Sequence, residues 1–313
     1  MAQGSAAVAG RVRRPRAGFA WLGLLPFLSY VLLVFLVPIG FILWEAFRKT
    51  TTGKAVRDPV TQQFVKETKT SFTGSNIHES LHGVYLTSLE TSVKLSAIVA
   101  LVGAVTGLLL AVAVVNSGGF LRQLVASAAA VLSNFGGIPL AFLFIATLDA
   151  NSGMATVFLR DHLHISVQDD LHLQLGQLSG LCLIYLYFLI PLMVLVSMPA
   201  LEGLKPQWGE AAENLGASRW SYWRLVAGPV LLPNFLGSLL LLFCSSFSAF
   251  ATAYAVNSSF PIVTIRIHAV LSGNVLANQE NLGAALALAM IVIVLPLTIA
   301  YQWLQRRTSR WLA

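Results

Sequence analysis

Three histidines and three aspartates share one short stretch, "RDHLHISVQDDLHLQ" at residues 160–174. Asp161, His162, His164, Asp169, Asp170 and His172 are side-chain types that bind zinc or iron. Their spacing matches no recurrent ligand pattern, and a solvated loop accounts for them as well. His78 and His82, four residues apart, allow the same two readings. Nucleotide chemistry would need a glycine-rich phosphate loop. The nearest approach, Thr52-Gly53-Lys54-Ala55, lacks the upstream glycine and the hydroxyl residue after the lysine. No nucleophile–base pair and no paired carboxylates fall within an apolar run, so catalysis inside a membrane has no residues to carry it. We expect no enzyme, no catalytic residue and no metal ligand. Cys182 and Cys244 lie inside apolar runs and read as small buried hydrophobes.

The elements that carry these groups are hydrophobic. The chain has 313 residues, 56% hydrophobic and 11% charged, with mean hydropathy +0.74. A soluble domain carries about twice that charge fraction. A net charge of +7 could suit nucleic acid, but the positives lie near the ends of apolar runs, so no nucleic-acid partner is expected. No linker, low-complexity tract or solenoid repeat divides the chain, which predicts one all-α domain in a lipid bilayer. A crossing helix needs roughly 20 mostly apolar residues. Six runs qualify, at about 19–43, 89–115, 122–148, 179–199, 228–256 and 283–304. The first follows Arg11, Arg13, Arg14 and Arg16 but is too long for a cleavable signal, so it reads as an uncleaved span.

Basic ends belong in the cytoplasm. The tails 1–18 and 305–313, the latter with Arg306, Arg307 and Arg310, are therefore both placed there, as six spans require. The turn 116–121 and the loop 200–227 then face the cytoplasm, and loops 44–88, 149–178 and 257–282 face outwards. Arg48, Lys49, Lys54, Arg57, Lys66 and Lys69 in the first outer loop count against this orientation. The even span number and two basic ends outweigh them. Glu90, Lys94 and Asp149 sit near span ends and the span centres hold no charge, which leaves a proton-driven carrier without a relay.

Within the cytoplasmic loop, "GEAAENLGASRW" (209–220) is a short charged helix between apolar runs. Pro206 can open it, since its missing N–H would be unpaired there anyway. Gly216 can close it in a left-handed conformation. Trp208, Ala211, Ala212 and Leu215 share one face, and Gln207, Glu210, Glu213 and Asn214 form the other. Glu210 complements the helix dipole. Ser218 can cap a second segment, "RWSYWRLV". On pattern alone, the helix either lies on lipid or docks a partner.

Glu210-Ala211-Ala212, then Gly216-Ala217, then "VAGPVLLP" (226–233) resembles the EAA motif of ABC importer permeases, the membrane subunits of binding-protein-dependent transport systems. The stretches 26–47, 85–114 and 280–297 resemble that family's first span, the start of its core and its last span. The nearest flavour is the group handling spermidine/putrescine, ferric iron, thiamine or aminoethylphosphonate. The resemblance implies a six-span type I importer permease of the MetI-like kind, in a bacterial inner membrane. It assigns ATPase coupling to Glu210, Ala211, Ala212, Gly216 and Ala217. It implies no cofactor of the chain's own, with ATP bound by an ABC ATPase dimer. It also implies a second permease subunit, identical or related, and an extracytoplasmic substrate-binding protein, which the loop 160–174 could meet. The rivals are a secondary carrier or channel, and a membrane scaffold whose cytoplasmic helix binds another partner.

Pathway candidates come from the fifth and third spans. Phe243, Phe247, Phe250 and Tyr254 form an aromatic stripe, and Ser245, Ser248, Ala249 and Thr252 line the opposite face. Either one stripe lines a pathway, or the small residues pack helices while the aromatics face lipid. "SNFGGIP" (133–139) interrupts the third span with Gly136-Gly137 and Pro139, and Asn134 adds a polar group. Candidate lining residues are Asn134, Ser245, Ser248 and Thr252. Gly103, Gly107 and Ala111 read as a helix-packing face.

Overall fold

The computed structural model describes residues 20–57, 64–168, 172–272 and 280–309. The tail 1–18, residues 310–313 and the pair Asp169 and Asp170 lie outside the described residues. The first span comprises α1 (Ala20–Val31), a wide turn at Leu32–Leu36 and α2 (Val37–Ala46). An antiparallel hairpin follows, β1 (Arg48–Arg57) with β2 (Phe64–Phe72), pairing Arg48 with Phe72 and irregular between Thr52 and Ala55. Then come α3 (Ser75–Ser80), α4 (Gly83–Val115), α5 (Gly119–Asn134), α6 (Ile138–Leu148) and α7 (Met154–Phe158). The second half holds α8 (Leu178–Glu202), α9 (Pro206–Asn214), α10 (Arg219–Tyr222), α11 (Gly228–Ser248), α12 (Ala251–Val256), α13 (Val263–Leu271) and α14 (Glu280–Ser309).

Among the described residues, five helical stretches are long and apolar enough to cross a membrane: Gly23–Ala46, Gly83–Val115, Leu178–Glu202, Arg219–Ser248 and Asn281–Arg306. The sixth crossing, expected as one helix at 122–148, is the pair α5 and α6, bent by 100°. The packing of the neighbouring helices fits a pair that crosses once. A Cβ on Gly103 would lie 3.5 Å from Leu189, and one on Gly107 would lie 2.5 Å from Met193. Contacts thus rise together along α4 and α8, so the two helices are parallel and an odd number of crossings separates them. Arg122 at the start of α5 pairs with Glu202 at the end of α8, while Phe144 of α6 meets Tyr187 further up α8. Glycine lets α4 and α8 approach this closely, replacing side chain by dispersion contact between backbones.

The core lies where α4, α8 and α11 meet, around Leu95, Val99, Tyr185, Leu189, Met193 and Leu242. A second cluster, with Ala111, Ala129, Val194, Met198 and Leu231, fastens α5 to the same helices. Gly237 of α11 lies against Tyr301 of α14, and Gly283 of α14 lies against Leu271 of α13. The helix α14 therefore runs antiparallel to α11 and ends on the side where α8 leads into α9. Asn76 donates to the carbonyls of Ala46 and Arg48, at 3.3 and 2.6 Å, fixing the end of α2 on the opposite side. Asn281 donates to Thr50 Oγ1 at 2.9 Å and ties the hairpin to α14. The first helix consequently starts on the α9 side, as an even number of crossings demands.

The structure adds detail to the expected spans at four points. Helices make the crossing body, and the hairpin β1–β2 adds β structure within the loop 44–88. Helix α4 begins at Gly83, six residues before the apolar run that starts at about 89. The loop 200–227 is not all separate from the fifth span: Arg219–Ser248 runs on as one apolar stretch, so the free part of the loop is shorter. That stretch ends at Ser248, not at 256, where the chain breaks before α12.

Candidate coupling surface and translocation path

The α9 side carries the charged corner. Pro206 opens α9, as its sequence position predicts. At the other end Gly216 has φ +72, its N–H donates to Glu213 O at 2.9 Å, and Ala217 N–H donates to Ala212 O at 2.9 Å. This paired closure is a Schellman motif, and the glycine supplies a backbone conformation that costs a residue with a Cβ. Ser218 Oγ then accepts from Ser221 N–H at 3.2 Å and starts α10. The result is two short helices joined at a fixed angle.

The corner is open to solvent. Glu210 and Ala211 are exposed, Ala212 and Ala217 half-buried, and no residue of α9 is buried. Leu215 is 88% exposed and Trp220 75% exposed. Two large apolar side chains thus stand bare beside the charged face of α9. Behind α9 lies a cavity of about 910 Å³, lined in part by Asn116, Arg122, Glu202, Glu213 and Trp223. The Arg122–Glu202 ion pair sits at its edge and joins α5 to the residue before the corner's leading loop.

The path candidates lie on two helix breaks. Gly137 has φ 78 and ψ −150, a region essentially closed to other residues, and it separates α5 from α6. Thr252 binds that break. Its Oγ1 accepts from Gly137 N–H at 2.9 Å and donates to Gly137 O at 3.2 Å. Thr252 is buried, so its hydroxyl serves this joint. Asn134 is exposed at the end of α5, with its amide donating to Ala130 O at 2.8 Å.

The second break frees the carbonyl of Ala249. Tyr185 Oη donates to it at 3.3 Å and Thr264 Oγ1 at 3.2 Å. An unpaired carbonyl at this depth would be costly, and two hydroxyls meet it. Ser248, one residue earlier, is exposed; Ser245 is half-buried. Ser248 borders a groove of about 510 Å³ with Cys244, Met290 and Val294. The expected aromatic stripe is not continuous, because the break falls between Phe247 and Phe250. Phe243 and Phe247 stack at 5.5 Å inside the core. Phe250 and Tyr254 instead gather around His268 of α13, at 5.0 and 4.9 Å. Phe243 and Phe247 therefore do not face lipid.

On the side of the helices away from α9, His162 stacks on Phe158 at 4.6 Å, and His164 and His172 have left-handed backbones with φ 55 and 51. His78 and His82 stack on each other at 4.0 Å. Among the described residues no three His, Cys, Asp or Glu side chains come together to hold a metal. Asp149 closes α6. Its carboxylate accepts from Ser152 Oγ at 2.8 Å and from the N–H groups of Ser152 and Asn151, with the Ser152 hydroxyl chiefly holding its pKa below the usual carboxylate range. Sequence reasoning missed Tyr185, Thr264 and the Arg122–Glu202 pair. Only the pair left a signal, as two opposite charges at neighbouring span ends.

The model of the family described as binding-protein-dependent transport system inner membrane components matches residues 103–310, more than half the chain. The chain belongs to this family. The match runs through both helix breaks and the whole corner, and the resemblance drawn from Glu210-Ala211-Ala212 and Gly216-Ala217 stands. Relatives include the ferric transport system permease protein FbpB of Actinobacillus pleuropneumoniae, 24% identical over 159 residues, covering 50% of this chain and 22% of that protein. The molybdenum transport system permease protein ModB of Escherichia coli (strain K12) is 30% identical over 122 residues, covering 37% of this chain and 51% of that one. The matched stretches thus span about half or less of these relatives. In fold, the chain is similar to one in a bacterial ABC transporter involved in the import of the acidic polysaccharide alginate. The TM-score is 0.66 at 16% identity, covering 92% of this chain and 94% of that chain. The family places the protein in the inner membrane as a multi-pass permease.

Proposed function

We propose that this permease forms half of the membrane core of an ABC importer, paired with a second permease chain. A separate ATPase dimer binds ATP and docks on α9 and α10, and an extracytoplasmic binding protein delivers substrate to the opposite face. Both ends of the chain and the corner are cytoplasmic in this reading. The observation that carries it is the corner itself: a rigid glycine-closed joint whose apolar tips, Leu215 and Trp220, stand bare on the face where α8 and α10–α11 converge. Closure of the ATPase dimer would push on this joint, and α10 passes the push straight into α11 because the two are one continuous stretch. Glu210, Ala211, Ala212, Gly216 and Ala217 act in docking; Asn134, Ser245 and Ser248 border the path, and Thr252 holds its joint.

The test is co-purification of the ATPase with the permease, together with ATPase activity stimulated by the loaded binding protein. Gly216→Val forces a β-branched side chain into a left-handed backbone. It should abolish stimulation while the spans still insert. A single cysteine at Gln207, with Cys182 and Cys244 replaced, should react with an impermeant thiol reagent only after the membrane is opened. Wild-type stimulation in Gly216→Val, or labelling at Gln207 in intact cells, would overturn the assignment.

A further inference from the structure

The arginines whose side chains are described either meet a carboxylate or stand exposed, with one exception. Arg48, Arg122 and Arg160 each meet a carboxylate, from Glu45, Glu202 and Asp161. Arg219 and Arg224 are exposed. Arg266 on α13 is neither. It is half-buried, and no carboxylate among the described residues comes within ion-pair distance of it. Its one protein hydrogen bond there is from Nε to Ser88 Oγ of α4, at 3.4 Å. The Ser88 proton is already committed to Val84 O at 2.8 Å, so the hydroxyl presents a lone pair to the guanidinium. The four N–H bonds of the two terminal nitrogens have no protein acceptor among the described residues.

A guanidinium held half out of water, with no carboxylate of the described residues at ion-pair distance and only the Tyr85 phenol felt nearby, is costly. Its position gives that cost a use. Thr264, two residues earlier on α13, caps the Ala249 carbonyl, and Val263 N–H is held by Ser92 Oγ at 2.8 Å. The helix α13 is therefore pinned at the break in the fifth span and against α4, with Arg266 fixed near the outer end of α4. We propose that Arg266 is an anion receptor at the outer mouth, and that the imported substrate carries an oxyanion or carboxylate group which the terminal nitrogens accept in bidentate fashion. A planar guanidinium steadied through Nε suits such a group better than a lysine would. This rests on the importer reading above.

A lipid phosphate has the same chemistry, so the experiment separates the sources. The complex with its ATPase and second permease is delipidated in a neutral sugar detergent, and phenylglyoxal modification of Arg266 is read by peptide mass spectrometry. Sulfate should slow modification of Arg266 about threefold or more against chloride at equal ionic strength, while Arg219 reacts equally in both. Arg266→Gln should raise the loaded binding protein concentration for half-maximal ATPase stimulation by about ten- to a hundredfold, and Arg266→Lys by less. Basal ATPase activity and assembly should not change. Equal modification rates in sulfate and chloride overturn the proposal. So does protection by added phospholipid to which sulfate adds nothing. Loss of stimulation in Arg266→Gln without sulfate protection makes the residue a docking contact for the binding protein and equally overturns it. Absence of stimulation in the wild type is a failure of the importer reading instead, and leaves the sulfate measurement to decide the receptor.

Discussion

Replacing Thr252 by valine removes a hydroxyl and keeps the shape. Two hydrogen bonds go with it, to Gly137 N–H at 2.9 Å and Gly137 O at 3.2 Å. Between membrane helices such bonds average about 0.6 kcal/mol and reach about 1.7. A buried donor left unpaired costs about 1–3 kcal/mol. Gly137 cannot rotate to find another partner, because its φ and ψ hold the turn between α5 and α6. The expected loss is therefore about 2 kcal/mol, above the membrane average for one bond and below the sum of the upper limits. For a chain of 313 residues that corresponds to a fall of roughly 3 °C in the melting midpoint. The assay is size-exclusion chromatography of the detergent-solubilised complex after heating, with hydrogen exchange followed at the Gly137 amide. Thr252→Ser keeps the hydroxyl and should lose much less stability while protecting that amide. If valine melts with the wild type, or serine falls as far as valine, the hydroxyl is not what joins the two breaks.

Further expectations concern packing and the path. Gly107→Ala places a Cβ 2.5 Å from Met193 Cβ and 2.9 Å from Ile190 O, so α4 and α8 must separate, at a cost of about 1–3 kcal/mol. Gly103→Ala meets only side chains, the nearest at 3.3 Å, and should be milder; equal melting of the two variants would refute the close parallel packing. Ser248→Trp should stop uptake while the complex still assembles, because Ser248 is exposed beside its groove. Normal uptake in that variant removes Ser248 from the path.

Some of this architecture was legible because its causes are local. Hydropathy runs mark the crossings, and Pro206 with Gly216 marks the corner, since each residue restricts its own backbone. Gly136-Gly137 announced a weak point for the same reason. The break after Ser248 left no such mark: "SFSAFATA" (246–253) contains neither Gly nor Pro. It persists because Tyr185, 64 residues away, and Thr264, 15 away, satisfy the carbonyl it frees. The direction of the aromatic stripe was also hidden. Periodicity gives a face, but in a bilayer both the protein interior and the lipid are apolar, so Phe243 and Phe247 suit either. The hairpin was obscured by its charges, although Thr50, Thr51, Thr52, Val56 and Val65 are good strand formers.

The doubly capped carbonyl of Ala249 has a mechanical consequence. Its two hydroxyls come from different bodies, Tyr185 on α8 and Thr264 on α13. Either can swing away while the other keeps the acceptor paired, so the joint does not pass through a state with a bare carbonyl in an apolar surround. A hinge made with one partner would stall at that barrier each time it moved. With two, a turn of the fifth span about Ala249 would keep that oxygen paired on one side or the other, and the cost of any such motion would be spread over separate steps.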